Sequence, residues 1–483
     1  MKLYLKGHSD LYAVEQLQMQ LFPSENSLLV QEEFRHEDGT ISALHRGKIY
    51  LTATAKIYYG GKIGYASRRI LAKKESVRLR RRILQQAYYL AALQVLPTAP
   101  PWGAMAGVRP SKLSTAYLME GHSVEQCDKM LRDVYFVSPD RRRLCIDSSL
   151  RTLAAAELLR EKDLSLYIGI PFCPSRCSYC SFVSQSIEKC GDLVEPYLDA
   201  LCREIAETGR LLRESDYSIR TLYIGGGTPT SLSTPQMSRL LSAIREHFDL
   251  SQCLEFTVEG GRPDTLDAEK LFAISGAGVG RMSINPQTMN DHVLSVIGRR
   301  HTAKEAVEAY RMAQRARFTD INMDLIAGLP DDSPASFRNT LEKVIALEPS
   351  NITVHTLALK KGADLFFSRA HLPTGEEVTQ MLHDANALLR ENGYAPYYLY
   401  RQKYSSGSFE NVGWCKEGHD CLYNIYMMEE LHSILALGAG GMNKVQYKKD
   451  DLERFHNPKF PQEYIRNIDD ILEKKRQIFS LLP

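Results

Sequence analysis

The sequence contains no run of apolar residues long enough to cross a membrane. A spanning helix needs about 20 predominantly apolar residues, and no stretch of these 483 residues approaches that length. Charged residues interrupt the first apolar stretch, in MKLYLKGHSDLYAVEQ, so this segment does not have the pattern of a signal peptide. We therefore expect a cytoplasmic protein with no membrane span.

The chain also has little excess charge of either sign. It carries 60 Lys and Arg residues against 58 Asp and Glu residues, for a formal net charge of +2. A strongly basic composition would favour binding to nucleic acid or to an anionic membrane. Composition gives no argument for either partner, and we expect no nucleic-acid binding. Internal repeats and low-complexity tracts are absent as well.

The length of the chain predicts more than one domain, because a typical domain has about 100–200 residues. Residues 1–160 open with the β-like stretches KLYLKG, GKIYLTATAKIYYGG and KIGYASRRIL, followed by a segment with helical spacing. This region is predicted to be an N-terminal α+β accessory domain. Residues 361–483 form a mixed C-terminal region, in which APYYLYRQKY indicates a strand and YNIYMMEELHSILALG a helix.

Residues 161–360 alternate short apolar strands with longer helical segments. The strand candidates are LSLYIGI, TLYIGG, LEFTVEG, GRMSIN, DINMDLIAG and NITVHTLAL. Such alternation indicates parallel strands joined by crossover helices. Six units are fewer than the eight of a closed barrel, so the predicted fold class is α/β, with a partial (β/α)6 TIM-like barrel. Ligands of such a barrel gather at the C-terminal ends of its strands.

Three cysteines follow the first strand of this region. Cys173, Cys177 and Cys180 lie in PFCPSRCSYC, where Pro171 and Pro174 flank the first of them. Prolines at these positions disfavour a helix interior, so the segment is predicted to be a loop. Three interpretations remain open from the residues alone: buried core cysteines, a structural zinc site, and an iron–sulfur cluster with one iron left open.

The C-x3-C-x2-C spacing after the first strand of a six-unit α/β region resembles the radical S-adenosylmethionine superfamily. The resemblance implies that Cys173, Cys177 and Cys180 bind a 4Fe–4S cluster whose open iron is chelated by S-adenosylmethionine. It also implies that reductive cleavage of this cofactor yields a 5′-deoxyadenosyl radical. The reducing electron would come from a low-potential flavodoxin- or ferredoxin-like donor.

A finer resemblance is to the oxygen-independent coproporphyrinogen III oxidases, and within them to the HemZ-type branch. The shared stretches include LYIGIPFC, YIGGGTPT, FTVEGG, RMSINPQ, VIGRRH and NMDLIAGLP. The resemblance implies a set of cofactor-binding residues, which are Tyr167, Tyr179, Gly226, Gly227, Thr228, Glu259, Gln287, Arg299, Asp324 and Ala358. The element PWGAMAGVRPSKL near the amino terminus also resembles the HemZ-type branch.

The resemblance implies oxidative decarboxylation of coproporphyrinogen III to protoporphyrinogen IX, with residues 361–483 completing the tetrapyrrole site. It assigns no catalytic residue beyond the cofactor set. The chain departs from the well-characterised oxidases at Gly169, where they carry a histidine, and at Ser181 and Phe182, where they carry a further cysteine nearby. A heme methyltransferase that opens the ring and a non-enzymatic heme-binding chaperone are therefore kept as alternatives.

Other thiols and imidazoles give weaker signals. Cys415 and Cys421 are interpreted as buried thiols because their spacing fits no metal motif, with a role as extra cluster ligands kept as the alternative. His355 and His432 are considered as axial heme ligands, although a single histidine is more often structural.

Overall fold

The computed structural model describes residues 1–22, 25, 28–29, 39–180, 184–358, 371–401, 409–448 and 451–482. The chain divides into two compact units, one of residues 1–150 with 399–410 and the other of residues 151–398 with 411–483. The expected domain boundaries near residues 160 and 360 remain predictions. Within the described ranges, every helix is too short or too polar to span a membrane.

The strands are numbered along the chain. They are β1 (Lys2–Lys6), β2 (Leu28–Leu29), β3 (Gly39–Arg46), β4 (Tyr50–Tyr59), β5 (Lys62–Leu71), β6 (Asp163–Ile170), β7 (Phe172–Cys173), β8 (Gln185–Ser186), β9 (Ser218–Gly226), β10 (Glu255–Glu259), β11 (Arg281–Ser283), β12 (Asp320–Ala327), β13 (Asn351–Thr356), β14 (Ala395–Arg401), β15 (Glu410–Cys415), β16 (Ile434–Leu437), β17 (Met442–Lys448) and β18 (Asp451–His456).

The helices are numbered in the same way. They are α1 (Leu11–Leu21), α2 (Val77–Ala92), α3 (Ser111–Met119), α4 (Val124–Asp133), α5 (Pro139–Glu157), α6 (Ile187–Cys190), α7 (Val194–Arg213), α8 (Thr234–His247), α9 (Ala268–Gly276), α10 (Asp291–Val296), α11 (Ala303–Arg315), α12 (Pro334–Ile345), α13 (Gly375–Glu391), α14 (Leu422–Glu429), α15 (Pro461–Arg466) and α16 (Ile468–Leu481).

The first unit is built on a five-stranded sheet in the order β2-β1-β3-β4-β5. Strands β3, β4 and β5 form an antiparallel meander in which β4 and β5 match predicted strands and β3 was not predicted. Gly60 and Gly61 turn the second hairpin with positive φ angles of 55° and 73°. Alternate residues of β4, such as Leu51 and Ile57, pack with α1 and α2 in the core of the unit. The helices therefore cover one face of the sheet, and the other residues of β3 to β5 point away from that core.

The second unit contains an eleven-stranded sheet in the order β14-β15-β13-β12-β11-β10-β9-β6-β16-β17-β18. The six strand candidates of the sequence become β6, β9, β10, β11, β12 and β13, each pairing in parallel with the next. Helices α7, α8, α9, α11 and α12 occupy the predicted crossovers. The predicted α/β class with a partial (β/α)6 barrel is confirmed.

One predicted helix is partly wrong. Helix α14 ends at Glu429, and Glu430 takes a left-handed conformation with φ 55° that stops it. The apolar stretch that follows forms β16, which pairs in parallel with β6 through Ile434 and Ser165. All four residues of β16 are buried. A short, fully buried strand has no alternation of polar residues, so its sequence cannot be told from that of a buried helix.

A buried ion pair fastens the C-terminal helix to the sheet. Lys475 Nζ of α16 lies 3.2 Å from Glu204 Oε1 of α7, and both side chains are at most 1% exposed. Glu204 also accepts hydrogen bonds from the Tyr464 hydroxyl and the Gly438 amide, while Lys475 donates to the Ala436 carbonyl. The charges are thus fully paired and hydrogen-bonded, as buried charges must be.

The same region fixes the end of β6. The Tyr197 hydroxyl donates to the Gly169 carbonyl over 2.6 Å and accepts from the Ala439 amide over 2.9 Å. Its ring meets the ring of Phe172 edge-on, with centroids 5.4 Å apart. Because Phe172 directly precedes the first cysteine of the loop, helix α7 positions the start of that loop.

Candidate active site

The three cysteines follow the C-terminal end of β6, as predicted, with Cys173 at the end of the two-residue strand β7 and Cys177 and Cys180 on the loop after it. Cys177 is buried, and Cys173 and Cys180 are partly buried. The Cys180 amide donates to the Cys177 carbonyl over 3.0 Å, which closes a turn between the second and third cysteine. Three thiols on one short, turned segment are the donor set of an iron–sulfur cluster with an open iron.

The described residues form no site for a single metal ion. Among the described residues, no three or more His, Cys, Asp or Glu side chains converge closely enough to hold one metal ion. In a cubane cluster each cysteine binds a different iron, so its ligands need not converge on one point. The zinc interpretation, which needs convergence within about 2.3 Å of a common centre, finds no support in this arrangement.

Arg262 anchors the loop, and the sequence analysis did not identify it. This guanidinium is 2% exposed, and its Nη1 donates to Ser175 Oγ over 2.7 Å and to the Ser175 carbonyl over 3.2 Å. Asp264 holds the other side of the guanidinium, with Nη2 and Oδ2 2.6 Å apart. Arg262 lies three residues after Glu259, the last residue of β10. Its place after the C-terminal end of a barrel strand could have identified it as a candidate site residue.

The glycine motif after β9 lies directly against the cysteine loop. A Cβ at Gly227 would stand 2.6 Å from the Phe172 carbonyl oxygen and 2.9 Å from Cys173 Sγ, so only glycine fits there. Gly226 has a φ of 121°, which side chains other than glycine rarely adopt. The Thr228 hydroxyl donates to Cys173 Sγ over 3.5 Å. The structure therefore brings the predicted residues Gly227 and Thr228 to the first cysteine, whereas Gly226 lies against Ile170 at the end of β6.

Three tyrosines and a carboxyl group line the interior of the barrel. The rings of Tyr223 and Tyr423 are stacked 4.5 Å apart, and Tyr167 lies beside both at 6.3 and 6.4 Å. The Tyr223 hydroxyl donates to Glu259 Oε1 over 2.5 Å. Burial is the largest cause that raises the pKa of Glu259 to about 7, and the negative charge of Asp324 adds to it. Tyr223 and Tyr423 were not predicted.

Asp324 has the opposite electrostatic environment to Glu259. Burial acts to raise its pKa, but hydrogen bonds and the charge of His355 outweigh burial and leave the pKa of Asp324 lowered. Its Oδ2 lies 3.8 Å from His355 Nε2, and Asn322 donates to its Oδ1 over 2.7 Å. The environment of Glu259 thus favours its neutral form, whereas that of the neighbouring Asp324 favours its charged form.

Several buried polar atoms of the site have no hydrogen-bond partner in the part of the chain that the structure describes. They are Ser283 Oγ, Asn285 Oδ1, Gln287 Oε1 and Arg299 Nε. Since buried polar groups are nearly always satisfied, we expect a polar ligand or ordered water beside these atoms. S-adenosylmethionine offers an amine, ribose hydroxyls and a carboxylate, so its donors and acceptors match these orphaned atoms. The residues present therefore fit the cofactor.

Gln287 and Arg299 approach other predicted residues. The Gln287 amide donates to the Asp324 carbonyl over 2.9 Å, and Gln287 itself has a left-handed φ of 69°. Arg299 Nη2 donates to the Tyr179 hydroxyl over 2.9 Å. Ala358 lies two residues beyond the end of β13, the strand that pairs with the Asp324 strand β12. The cofactor roles of all ten residues stay predictions.

Cys415 and Cys421 are both buried and are not part of this site, as expected of core thiols, and the alternative of extra cluster ligands finds no support. Cys421 Sγ donates to Glu255 Oε1 over 3.3 Å. Glu255 begins β10, whereas Glu259 ends it, so Cys421 lies at the opposite end of the barrel. Cys415 is the last residue of β15 and pairs with Asn351, the first residue of β13, at that same opposite end.

His432 is also unsuited to bind heme, contrary to the possibility raised from the sequence. Its Nε2 lies 2.7 Å from Ser165 Oγ, and burial lowers its pKa to about 3. His355 does lie at the site, beside Asp324. Gly169 is explained by crowding, because a Cβ there would stand 2.9 Å from the Ala439 carbonyl oxygen. Ser181 and Phe182 lie outside the described residues.

Comparisons with known proteins agree with this site. Residues 167–344 match the family model described as the Radical SAM superfamily. The oxygen-independent coproporphyrinogen-III oxidase-like protein HemZ of Bacillus subtilis is 39% identical over 389 residues, covering 78% of each chain. The heme chaperone HemW of the same species is 34% identical over 284 residues, covering 57% of this chain and 70% of the relative.

Among solved structures, coproporphyrinogen III oxidase HemN from Escherichia coli, described as a radical SAM enzyme, matches with a TM-score of 0.54 and 26% identity. The match covers 66% of this chain and 72% of HemN. The parallel sheet, the cysteine loop and the family model together define a radical S-adenosylmethionine protein, whose cofactors are a 4Fe–4S cluster and S-adenosylmethionine. Within that superfamily, the chain belongs to the family of HemZ and its HemW relatives.

Proposed function

We propose that the protein catalyses the oxygen-independent oxidative decarboxylation of coproporphyrinogen III to protoporphyrinogen IX. The observation that carries this proposal is the match to HemZ, named as oxidase-like, at 39% identity over 78% of both chains. The structural match to the oxidase HemN supports it. The proposal therefore assigns an enzymatic role on a tetrapyrrole.

The chemistry explains why such an enzyme needs this pair of cofactors. The hydrogen on the β-carbon of a propionate is not acidic, so no side chain can remove it as a proton. Bound S-adenosylmethionine supplies a 5′-deoxyadenosyl radical when reduced by the cluster. With the cluster held by Cys173, Cys177 and Cys180, this pair of cofactors would take up that hydrogen atom, after which the bond to the carboxylate would break and CO2 would depart. One electron from each propionate passes to a one-electron acceptor as the vinyl group forms.

The side chains of the barrel would bind, orient and shield in this reaction. Arg262 and Tyr197 hold the cysteine loop, and Arg299 provides a planar cation suited to a carboxylate. The stacked rings of Tyr167, Tyr223 and Tyr423 would limit the room for water in the barrel interior. Exclusion of water and stray hydrogen donors is what a radical intermediate requires.

A second candidate function rests on a separate observation. HemW of Escherichia coli, named a heme chaperone, is 29% identical to this chain and covers 66% of it, with 80% of HemW covered. A chaperone could retain the same fold and cofactor residues while binding heme without converting it. This alternative predicts tight binding of heme and no change in any tetrapyrrole.

One anaerobic experiment separates the candidates. Cluster-loaded protein is reduced and incubated with S-adenosylmethionine and either coproporphyrinogen III or heme, and the products are analysed by mass spectrometry. Loss of two carboxyl groups from coproporphyrinogen supports the oxidase. Unchanged heme that stays with the protein through gel filtration, without decarboxylation, supports the chaperone. A methylated, ring-opened heme would contradict both. The Cys173→Ala variant serves as the control without a complete cluster.

A further inference from the structure

Five polar or aromatic side chains inside the barrel stay partly exposed although their strands are largely buried. On β6, β10 and β13 every other residue of the strand is buried. A partly exposed side chain on such a strand borders open space rather than packed core. The five are Tyr167 of β6, Tyr223 of β9, Glu259 of β10, Asp324 of β12 and His355 of β13. They therefore line a space that a ligand can occupy.

The carboxyl group of Glu259 is held on two sides within this space. The Tyr223 hydroxyl donates to its Oε1 over 2.5 Å. Its Oε2 lies against Gly225, where an added Cβ would stand 2.9 Å from that oxygen and 2.9 Å from Tyr223 Cε1. The last torsion of a glutamate side chain is only weakly restricted by itself. The hydrogen bond and the glycine contact therefore give this carboxyl group one orientation.

Tyr223 is in turn held by a residue of the C-terminal region. Its ring is stacked on that of Tyr423, with centroids 4.5 Å apart and planes 20° apart. Tyr423 is only 4% exposed, so its ring packs behind Tyr223 and has little access to the space.

The first turn of α14, which carries Tyr423, is fixed by β10. The backbone amides of Leu422 and Tyr423 donate to the carboxylate of Glu255 over 2.8 and 3.1 Å. Glu255 is the first residue of β10, and Glu259 is the last. The strand that presents the Glu259 carboxyl group thus also anchors the helix that supports its hydrogen-bond donor.

We propose that Tyr223 is a positioning residue of the cofactor site, which holds the Glu259 carboxyl group towards bound S-adenosylmethionine, and that Tyr423 holds Tyr223. The proposal rests on the cofactor role predicted for Glu259. It goes beyond the proposed reaction, because it applies to the cofactor whichever tetrapyrrole is bound. It also gives helix α14 a part in the cofactor site, although its region was predicted to complete the tetrapyrrole site.

The charge of the cofactor explains why such positioning matters. S-adenosylmethionine carries a positive sulfonium, and its amine is positive when protonated, so an oriented carboxylate attracts it. A carboxyl group that already has its bound orientation loses less side-chain freedom when the cofactor binds. Tyr223 acts only through Glu259 in this account, so its contribution to affinity should vanish when the Glu259 carboxyl group is absent.

The test is a double-mutant cycle on full-length, cluster-loaded protein without any tetrapyrrole. Its members are the parent protein, Tyr223→Phe, Glu259→Ala and the double variant. Tyr464→Phe is the matched control, because the Tyr464 hydroxyl also donates to a glutamate, Glu204, over 2.5 Å, but outside the site. Calorimetry gives the affinity for S-adenosylmethionine, and iron content and thermal unfolding are measured for every variant.

Tyr223→Phe is expected to weaken S-adenosylmethionine binding roughly fivefold to tenfold, as loss of one hydrogen bond implies. Glu259→Ala should weaken it at least as much. The double variant should lie within about twofold of Glu259→Ala, because no carboxyl group is left to position. Tyr464→Phe should unfold at a lower temperature, with affinity within about twofold of the parent. If Tyr223→Phe takes up less than a full cluster, Tyr423→Leu replaces it in the cycle, with a loss of about twofold to fivefold expected.

The pH dependence of affinity distinguishes positioning from a general loss of structure. Burial raises the pKa of Glu259 to about 7, and the hydrogen bond from Tyr223 acts in the opposite direction. Since the charged carboxylate attracts the cofactor, affinity should fall as pH drops through this pKa. In Tyr223→Phe the pKa is higher, so the fall should begin at a higher pH, whereas Tyr464→Phe should keep the parent profile. In the described part of the chain, the titratable groups that face Glu259 are Tyr167, Tyr223, Asp324, His355 and Tyr423.

Four results would overturn the positioning proposal. They are unchanged affinity in Tyr223→Phe, unchanged affinity in Glu259→Ala, an equal loss of affinity in Tyr464→Phe, and additive losses in the double variant. A pH profile of Tyr223→Phe that matches the parent would contradict it as well. Because the experiment contains no tetrapyrrole, each of these results judges the cofactor site and leaves the test of the decarboxylation reaction separate.

Discussion

The hydroxyl of Tyr223 lies 2.5 Å from Glu259 Oε1 and joins two neighbouring strands, β9 and β10, inside the barrel. The carboxyl group is buried there beside Asp324, and burial is the main reason that its pKa is raised to about 7. In water a glutamic acid titrates about 2 to 3 units lower. Glu259 therefore keeps its proton in the folded protein at pH values where the unfolded chain has lost it.

This difference makes stability depend on pH in a defined direction. Below the unfolded pKa both states are protonated, and stability is unaffected. Between the unfolded pKa and about pH 7 the folded state binds the extra proton, so stability falls as pH rises. Glu259→Gln removes the titration. In thermal unfolding of protein without cofactors, the variant should be more stable than the parent by about 1–3 kcal/mol at pH 8. At about pH 5 the difference in unfolding free energy between the variant and the parent protein should be smaller. If the stabilities of the two proteins depend on pH in the same way, the raised pKa of Glu259 is contradicted.

Cluster binding is expected to depend on three thiols and on no others. Reconstituted parent protein should bind about four irons with sulfide, and the variant with alanine at Cys173, Cys177 and Cys180 should bind none. Cys421→Ala is the control, because Cys421 lies at the opposite end of the barrel beside Glu255. Iron and sulfide analysis gives the result. Full iron content in the triple variant would show that other residues hold the cluster.

Cofactor affinity should depend on Arg299 but not on its neighbour. Arg299 is buried with an orphaned Nε, whereas Arg300 is exposed and pairs with Glu188. A hydrogen bond to a charged group contributes about 1.5–3 kcal/mol, so Arg299→Ala should weaken S-adenosylmethionine binding by roughly tenfold to a hundredfold. Arg300→Ala should leave affinity unchanged. Calorimetry of the cluster-loaded variants tests this, and equal affinities in both would remove Arg299 from the site.

Asp324→Asn tests the other side of the same site. This carboxyl group is held towards its charged form by His355 and Asn322. Loss of its charge should reduce cofactor affinity by about tenfold, with the iron content unchanged. A fall in iron content together with affinity would show that Asp324 acts on the fold rather than on the cofactor.

Removing one partner of the buried pair of Glu204 and Lys475 should lower the free energy of unfolding strongly, whereas replacing both partners should lower it much less. Lys475→Met leaves a buried carboxylate without its cation, so a loss of about 3–5 kcal/mol is expected. Adding Glu204→Gln removes that charge and should recover much of the loss. Chemical denaturation of the four proteins in this double-mutant cycle measures the coupling. Additive effects of the two substitutions would contradict the pairing.

The sequence predicted those helices, strands and loops that have a characteristic residue pattern within their own segment. The six parallel strands and the loop with Cys173 were visible because apolar runs, crossover helices and prolines lie in sequence order. Strand β16 was missed because its four buried residues show no period. Tyr423 was missed because it reaches the barrel interior from a helix more than 150 residues after Glu259. Sequence reasoning cannot bring such distant residues together without knowing the sheet order.

The same limitation applies to the first unit. Residues 399–410 belong to it, although they follow the parallel strands in the chain. Trp102 donates to Glu410 over 2.8 Å, and Arg141 forms an ion pair with the same carboxylate at 2.7 Å. A truncation that removes residues 1–150 would remove both Trp102 and Arg141 from this buried carboxylate.

The proposed reaction begins with removal of a hydrogen atom from a propionate side chain of the substrate. The most direct measurement uses coproporphyrinogen III deuterated at the propionate β-carbons, incubated anaerobically with reduced, cluster-loaded protein and S-adenosylmethionine. The 5′-deoxyadenosine formed is then analysed by mass spectrometry. The account predicts one deuterium in each 5′-deoxyadenosine and a matching yield of vinyl product. Formation of 5′-deoxyadenosine without deuterium, while the tetrapyrrole stays intact, would contradict it.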